Sequence, residues 1–273
     1  MGLSPKTGCT GYCANGSIHS TFARVKRATL ILAPWAVIVA AWYAIHYSGL
    51  INPALVPAPH AVAVRFAELA RDRLPMDIWM STQRVFVGVA LGISAAVPVG
   101  FVLGWYRGMR DFIEPLVNFF RALPPIALIP LVIVYFGVDE TAKIVILFYA
   151  SFFSGVIVMY EGIAQISPIY VRVARTLGAT DGEIFRKVIV PLTVPHMLTA
   201  LRVALGVAWA TLVASELIAA QRGLGSLIQN AAAFFQLDII YVGIICIGFI
   251  ALAMDLVLRR VARRLVAWQE RIA

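Results

Sequence analysis

"SPIYVRVARTLGATDGEIFRKVIVPLTVP", residues 167–195, interrupts a chain whose other long segments are almost wholly apolar. It places Arg172, Arg175, Asp181, Glu183, Arg186 and Lys187 in a protein of 273 residues that is 61% hydrophobic and only 14% charged. The stretch carries its own start and stop signals. Ser167 is a capping residue, and Pro168 takes the first helical position, where a missing N–H does no harm. Gly178 suits the left-handed backbone that ends helices. Thr180 and Glu183 have capping-box spacing for a second helix, with Ile184, Phe185, Val188 and Ile189 as its apolar stripe and an expected stop near Pro191. On the first helix Val173 and Leu177 share a face, with Ala174 between them. About ten residues rise only about 15 Å, so neither half can cross a bilayer. The pattern specifies two short helices around a glycine corner. It either solvates a connection or forms a knob that another protein grips.

With a mean hydropathy of +0.86, a soluble fold would lack the polar surface to cover its core. Apolar runs long enough for about 30 Å of hydrocarbon recur, so the chain is an all-α polytopic membrane protein. Six spans are expected, near Ala28–Tyr47, Ile78–Trp105, Ile126–Phe136, Ala142–Ile163, His196–Ala219 and Ile239–Leu258. The third is short, and Pro124, Pro125 and Pro130 predict a broken or tilted entry. Gly88, Gly92, Gly100 and Gly104 recur in the second at steps that let helices approach closely. Residues 60–74 read as an amphipathic surface helix, and Trp42 and Tyr43 as an interfacial belt.

Basic residues set the orientation. With the N-terminus inside, the outer segments hold only Arg65, Arg71, Arg73 and Arg222, an asymmetry of about four to one. Both termini and the loop at 167–191 are therefore expected on the cytoplasmic side. The net charge of +9 is spread between apolar segments, which speaks for span flanks and against nucleic acid. Residues 1–27 read as a disordered cytoplasmic tail, 28–258 as the membrane domain and 259–273 as a basic cytoplasmic tail. Cys9, Cys13 and His19 lack a regular spacing and a fourth ligand, so no metal site is expected there.

"RVARTLGATDGEIFRKVIVP" resembles the signature loop of binding-protein-dependent ABC importer permeases: E-A-A, three residues, G, nine residues, then I-x-L-P. Gly178 takes the glycine, Ala174 the second alanine, Val188 the isoleucine and Pro191 the proline. Arg172, Val173 and Val190 replace the acid, the first alanine and the leucine. The resemblance covers about residues 30 to 270. "YRGMRDFIEPLVNFFRALPPIALIPLVIVYFGVDETAKI" and "LRVALGVAWATLVASELIAAQRGLGSLIQNA" are similar to the nitrate/sulfonate/taurine branch, the latter most of all to taurine permeases.

This resemblance implies a type I importer permease (MetI-like) fold in a bacterial inner membrane. It implies a second copy of the chain, two ABC ATPase subunits carrying ATP and Mg, and a periplasmic substrate-binding protein. Coupling to the ATPase would fall to Arg172, Ala174, Leu177, Gly178, Ala179 and Glu183. The implied cargo is taurine or another alkanesulfonate, with nitrate, bicarbonate and small nitrogenous solutes as alternatives.

The chain holds no G-x-x-x-x-G-K-[ST] loop, so it is not expected to be an enzyme, and no cofactor is expected on it. Arg121, Trp209 and Glu216 are candidates for the translocation path. Glu216 lies inside a span, where it either faces the path or pairs with Arg222 or the backbone of the following turn. Arg202 and Arg121 read more simply as snorkelling to headgroups. Broken helices and an intramembrane acid would also suit an ion-coupled secondary transporter, the rival reading.

Overall fold

The helices follow the apolar segmentation of the sequence. The computed structural model describes residues 33–49, 52 and 55–266, so Cys9, Cys13, His19 and the tail 1–27 lie outside the described residues. Helix α1 covers 33–47, followed by α2 (Pro59–Leu69), α3 (Leu74–Trp105), α4 (Arg107–Ala122) and α5 (Pro125–Phe136). Then come α6 (Glu140–Ala164), α7 (Pro168–Thr176), α8 (Asp181–Ile184), a π-helical turn (Phe185–Ile189), α9 (Val190–Ala219), α10 (Leu224–Ala233) and α11 (Leu237–Leu265). No strand occurs among the described residues.

The chain divides into two compact units, Met1–Ala63 and Val64–Ala273. In the first, the Trp42 indole N–H donates to Pro57 O at 3.1 Å and His46 Nδ1 donates to Val56 O at 2.7 Å. Tyr43 stacks on His60 with centroids 6.4 Å apart. The aromatic end of α1 therefore binds the proline-rich segment that follows it.

In the second unit α3 and α6 run parallel along a seam of small residues. A Cβ built on Gly88, Gly92 or Gly100 would lie 2.4 Å, 2.6 Å or 2.4 Å from the Cβ of Leu147, Ser151 or Met159. Gly104 meets Ile163 in the same way. The sequence offset is the same at every contact, which is what two parallel helices in register require. Without a hydrophobic driving force in lipid, such close backbone approach is a main source of helix association. Gly92→Ala is expected to destabilise the protein by about 1–3 kcal/mol, because its methyl would also meet the backbone of Phe148 and Phe152 at 3.0 Å. The thermal unfolding midpoint in detergent checks this, with Gly108→Ala, which opens onto free space, as the unchanged control.

Helix α9 runs antiparallel to α6. Ala204, Ala208, Trp209 and Leu212 pack against Val85, Val89 and Leu147 to form one core cluster. Among the described residues four helices are long and apolar enough to cross a membrane: α3, α6, the continuous Asp181–Ile218 and α11. A fifth crossing exists if Gly108–Ala122 and Pro125–Phe136, bent by 90°, count together. That bend falls at Pro124–Pro125, where the sequence predicts a broken entry. Of the first expected span only residues 33–47 are described as helix.

One boundary differs from expectation. The second helix of the polar stretch does not stop near Pro191 but continues through the π-helical turn into α9, giving 38 residues without a break. The wide turn is the reason. Val190 N–H reaches Phe185 O, five residues back, and this extra residue lets the helix pass a proline that cannot donate.

Candidate functional site

The corner at 167–184 is built as its residues dictate. Ser167 Oγ accepts from Ile169 N–H at 3.5 Å at the start of α7. At its end Gly178 has φ +83°. Gly178 N–H bonds Arg175 O and Ala179 N–H bonds Ala174 O, both at 3.0 Å. This is a Schellman closure, which requires the left-handed residue in that place. Glu183 N–H donates to Thr180 Oγ1 at 3.4 Å and Thr180 N–H to Glu183 Oε2 at 3.1 Å, completing the capping box of α8. Lys187 Nζ holds the other Glu183 oxygen at 3.0 Å, and Arg175 joins Asp181 across the corner at 3.1 Å.

The candidate coupling residues divide between two faces. Ala174 and Ala179 pack inward on the cluster of Met159, Ile163, Ile184, Ile189 and Ala200. Arg172, Gly178 and Glu183 are exposed, and Leu177 is 82% exposed. With Ile169, Tyr170 and Val173, Leu177 gives α7 an outward apolar face. Phe185 stands edge-on to Phe101 and Trp105, with centroids 5.4 and 5.7 Å away, so the corner is braced against the carboxyl end of α3.

A second constellation lies at the opposite end of the bundle, where α3 and α6 begin and α9 ends. Glu216 is buried there, and its partner is not Arg222 but Arg84 on α3, whose Nη1 lies 2.5 Å from Oε1. Arg222 contributes its carbonyl oxygen, which accepts from Arg84 Nη1 at 2.8 Å. The backbone of the following turn is a partner as well: Gly225 N–H donates to Glu216 Oε2 at 2.8 Å. Ser81 donates to the Glu216 carboxylate at 2.8 Å and accepts from Leu224 N–H at 2.9 Å. Gly223 N–H donates to Asp77 Oδ1 at 3.0 Å. Three successive amides at the start of α10, orphaned by helix geometry, are thus satisfied by side chains of α3 and α9.

Glycine is required in this turn, since a Cβ on Gly223 would lie 2.5 Å from Glu216 Oε1 and 2.7 Å from Arg84 Nη1. Arg84 also reaches α6: its Nε and Nη2 grip the Glu140 carboxylate at 2.5 and 2.6 Å, and Lys143 Nζ adds a third bond at 2.9 Å. Arg73 pairs with Asp77 at 2.8 Å. Three cations face three carboxylates, so the cluster is neutral as a whole.

The three path candidates are not brought together. Trp209 is buried in the core, Arg121 is exposed at the last turn of α4, and Glu216 sits in the polar cluster. Arg202 is paired across α9 and α11, its Nε 2.7 Å from Asp255 Oδ1. Sequence reading missed Asp77, Ser81, Arg84, Glu140 and Lys143. The available signal was Arg84, a cation within an apolar run and of opposite sign to Glu216.

Residues 88–267 match the family described as the inner membrane component of binding-protein-dependent transport systems. A probable ABC transporter permease of Brucella abortus (strain 2308) is 45% identical over 91% of this chain and 99% of its own length. The taurine transport system permease protein TauC of Escherichia coli (strain K12) is 34% identical over 89% of this chain and 90% of its own. Permeases named for aliphatic sulfonates and for nitrate match as well. An inward-facing structure of the MetNI methionine ABC transporter shares the fold, with a TM-score of 0.62 and 20% identity over 70% of this chain and 95% of that one. The chain is therefore a multi-pass membrane protein of the binding-protein-dependent permease family, in the taurine, sulfonate and nitrate branch of ABC importer permeases.

Proposed function

We propose that the chain is the membrane subunit of an ATP-driven importer that moves a small organic anion, taurine or another alkanesulfonate, by alternating access. One observation carries the reading. The α7–α8 corner is a folded lever with an apolar outer face, continuous with the longest described helix and braced on α3 through Phe185. A floppy loop would dissipate a displacement, whereas capped helices deliver it.

In this reading two copies pair, six helices cross the bacterial inner membrane in each, and the corner and both termini face the cytoplasm. Two separate ATPase subunits carry Mg-ATP, and a periplasmic binding protein delivers the cargo. The exposed face around Leu177, with Arg172 and the capped Glu183, meets the ATPase. Ala174 and Ala179 hold that face on the bundle, and Gly178 sets its angle. ATP drives the cycle through contacts that differ between two states of this joint. The choice of alkanesulfonate rests on the similarity to TauC at 34% identity, against 31% for the nitrate import permease NrtB of Synechococcus elongatus.

The test is uptake in proteoliposomes holding this chain with its ABC ATPase and binding protein. Taurine is expected to accumulate only with ATP inside the ATPase compartment and to do so undiminished by a protonophore. Uptake that follows a proton gradient and ignores ATP would overturn the importer reading.

A further inference from the structure

The polar cluster opens on one side into a cavity of about 480 Å³ whose charged lining is Arg84, Lys143 and Arg222 with Asp139 and Glu140. Its charges are unequally committed. Glu216 is fully buried and held by Ser81, Gly225 and Arg84, so it is part of the scaffold. Arg84 and Lys143 side chains are each only 4% exposed, yet the Glu140 carboxylate between them is 48% exposed at the cavity. It receives three charge-assisted hydrogen bonds there, two from the Arg84 fork and one from Lys143.

A carboxylate in that position solves a physical problem. Two buried cations need two negative charges, and of the two carboxylates bonded to them only Glu216 is fully buried. The other sits on a half-exposed side chain at the first residue of α6, with solvent on its outer side. What it would leave behind is a neutral Arg84–Glu216 pair, an unpaired Lys143 ammonium and three donors converging on one point. That arrangement fits the oxygens of an oxyanion headgroup.

We propose that Arg84 and Lys143 form an anion site at this end of the bundle, filled in this structure by the chain's own Glu140, which a sulfonate or carboxylate headgroup displaces. Glu140 acts as an internal counter-ion. It keeps the site neutral when empty, and it makes affinity for the anion weak enough for release. That the displacing anion is the transported cargo rests on the importer reading above; the site itself does not.

The test is calorimetric titration of the full-length chain, in nanodiscs of uncharged lipid, with potassium ethanesulfonate against potassium chloride at equal ionic strength. Glu140→Gln is expected to raise ethanesulfonate affinity about tenfold over the natural chain, because the competing charge is gone while the shape remains. Adding Lys143→Gln should cancel the gain. Unchanged or weaker affinity in Glu140→Gln would overturn the proposal. Glu140→Asp, which keeps the charge but shortens its reach, gives a second measure and should bind more tightly than the natural chain. If neither variant folds, Glu140 belongs to the scaffold and the proposal is wrong. The titration uses neither ATPase nor binding protein. Failure of ATP-driven uptake would thus leave the site standing, and a failed titration would leave the importer reading standing.

Discussion

Glu216→Ala is expected to leave little folded protein in the membrane. The carboxylate accepts from Ser81, Arg84 and Gly225 at once, and Ser81 and Gly225 are buried away from water. Its loss leaves the buried Arg84 and Lys143 to share Glu140 as their one bonded carboxylate, and strands the Gly225 amide at the start of α10. Breaking one side of a buried ion pair costs about 3–5 kcal/mol, a large share of ordinary net stability. The check is the unfolding midpoint of the purified chain in detergent, together with its yield as a single species by size-exclusion chromatography. Arg84→Met should be comparably damaging alone. The double variant Arg84→Met with Glu216→Leu is expected to lose less than the two single losses combined, since apolar groups of similar volume need no partner. A midpoint unchanged in Glu216→Ala would show that the clasp contributes nothing to stability.

Gly178→Val should act in the opposite manner, abolishing coupling while sparing the fold. Nothing lies within 4 Å of a Cβ built on Gly178, so the substitution meets no clash. Its cost is entirely in the backbone at φ +83°, a conformation that costs ordinary L-residues about 1–2 kcal/mol and β-branched ones more. That is too little to unfold the bundle but enough to open the two hydrogen bonds that set the angle between α7 and α8. The exposed face of Leu177 and Val173 then loses its fixed direction. ATPase capture by the tagged chain and ATP-driven uptake are both expected to fall by about tenfold or more, with membrane insertion at the natural level. Gly178→Asn, which tolerates the left-handed region, should retain most of both. Undiminished ATPase capture by Gly178→Val would remove the corner from the coupling role.

How legible these two sites were in the sequence differs for a physical reason. The corner is written in short-range chemistry: Ser167, Pro168, Gly178, Thr180 and Glu183 all act within a few residues of themselves, and the structure has each doing so. The glycine seam was legible too, because its helical spacing survives in one segment. The polar cluster was not. Arg84 and Glu216 stand 132 positions apart, and nothing local in either segment names the other. Pro191 misled for a related reason: a proline normally ends a helix, and the wide turn that absorbs it arises from hydrogen bonding no composition rule records.

The continuous helix Asp181–Ile218 has a mechanical consequence of its own. It carries the corner at one end and is clamped at the other, where Glu216 is gripped from α3 and from the start of α10. If the corner is driven as proposed, such a rod cannot act as a piston, because sliding along its axis would tear out the clasp. It can only swing. In the importer reading, force delivered at the corner arrives along the helix as a change of tilt with its pivot at the carboxylate, and it must first shift Phe185 against Phe101 and Trp105.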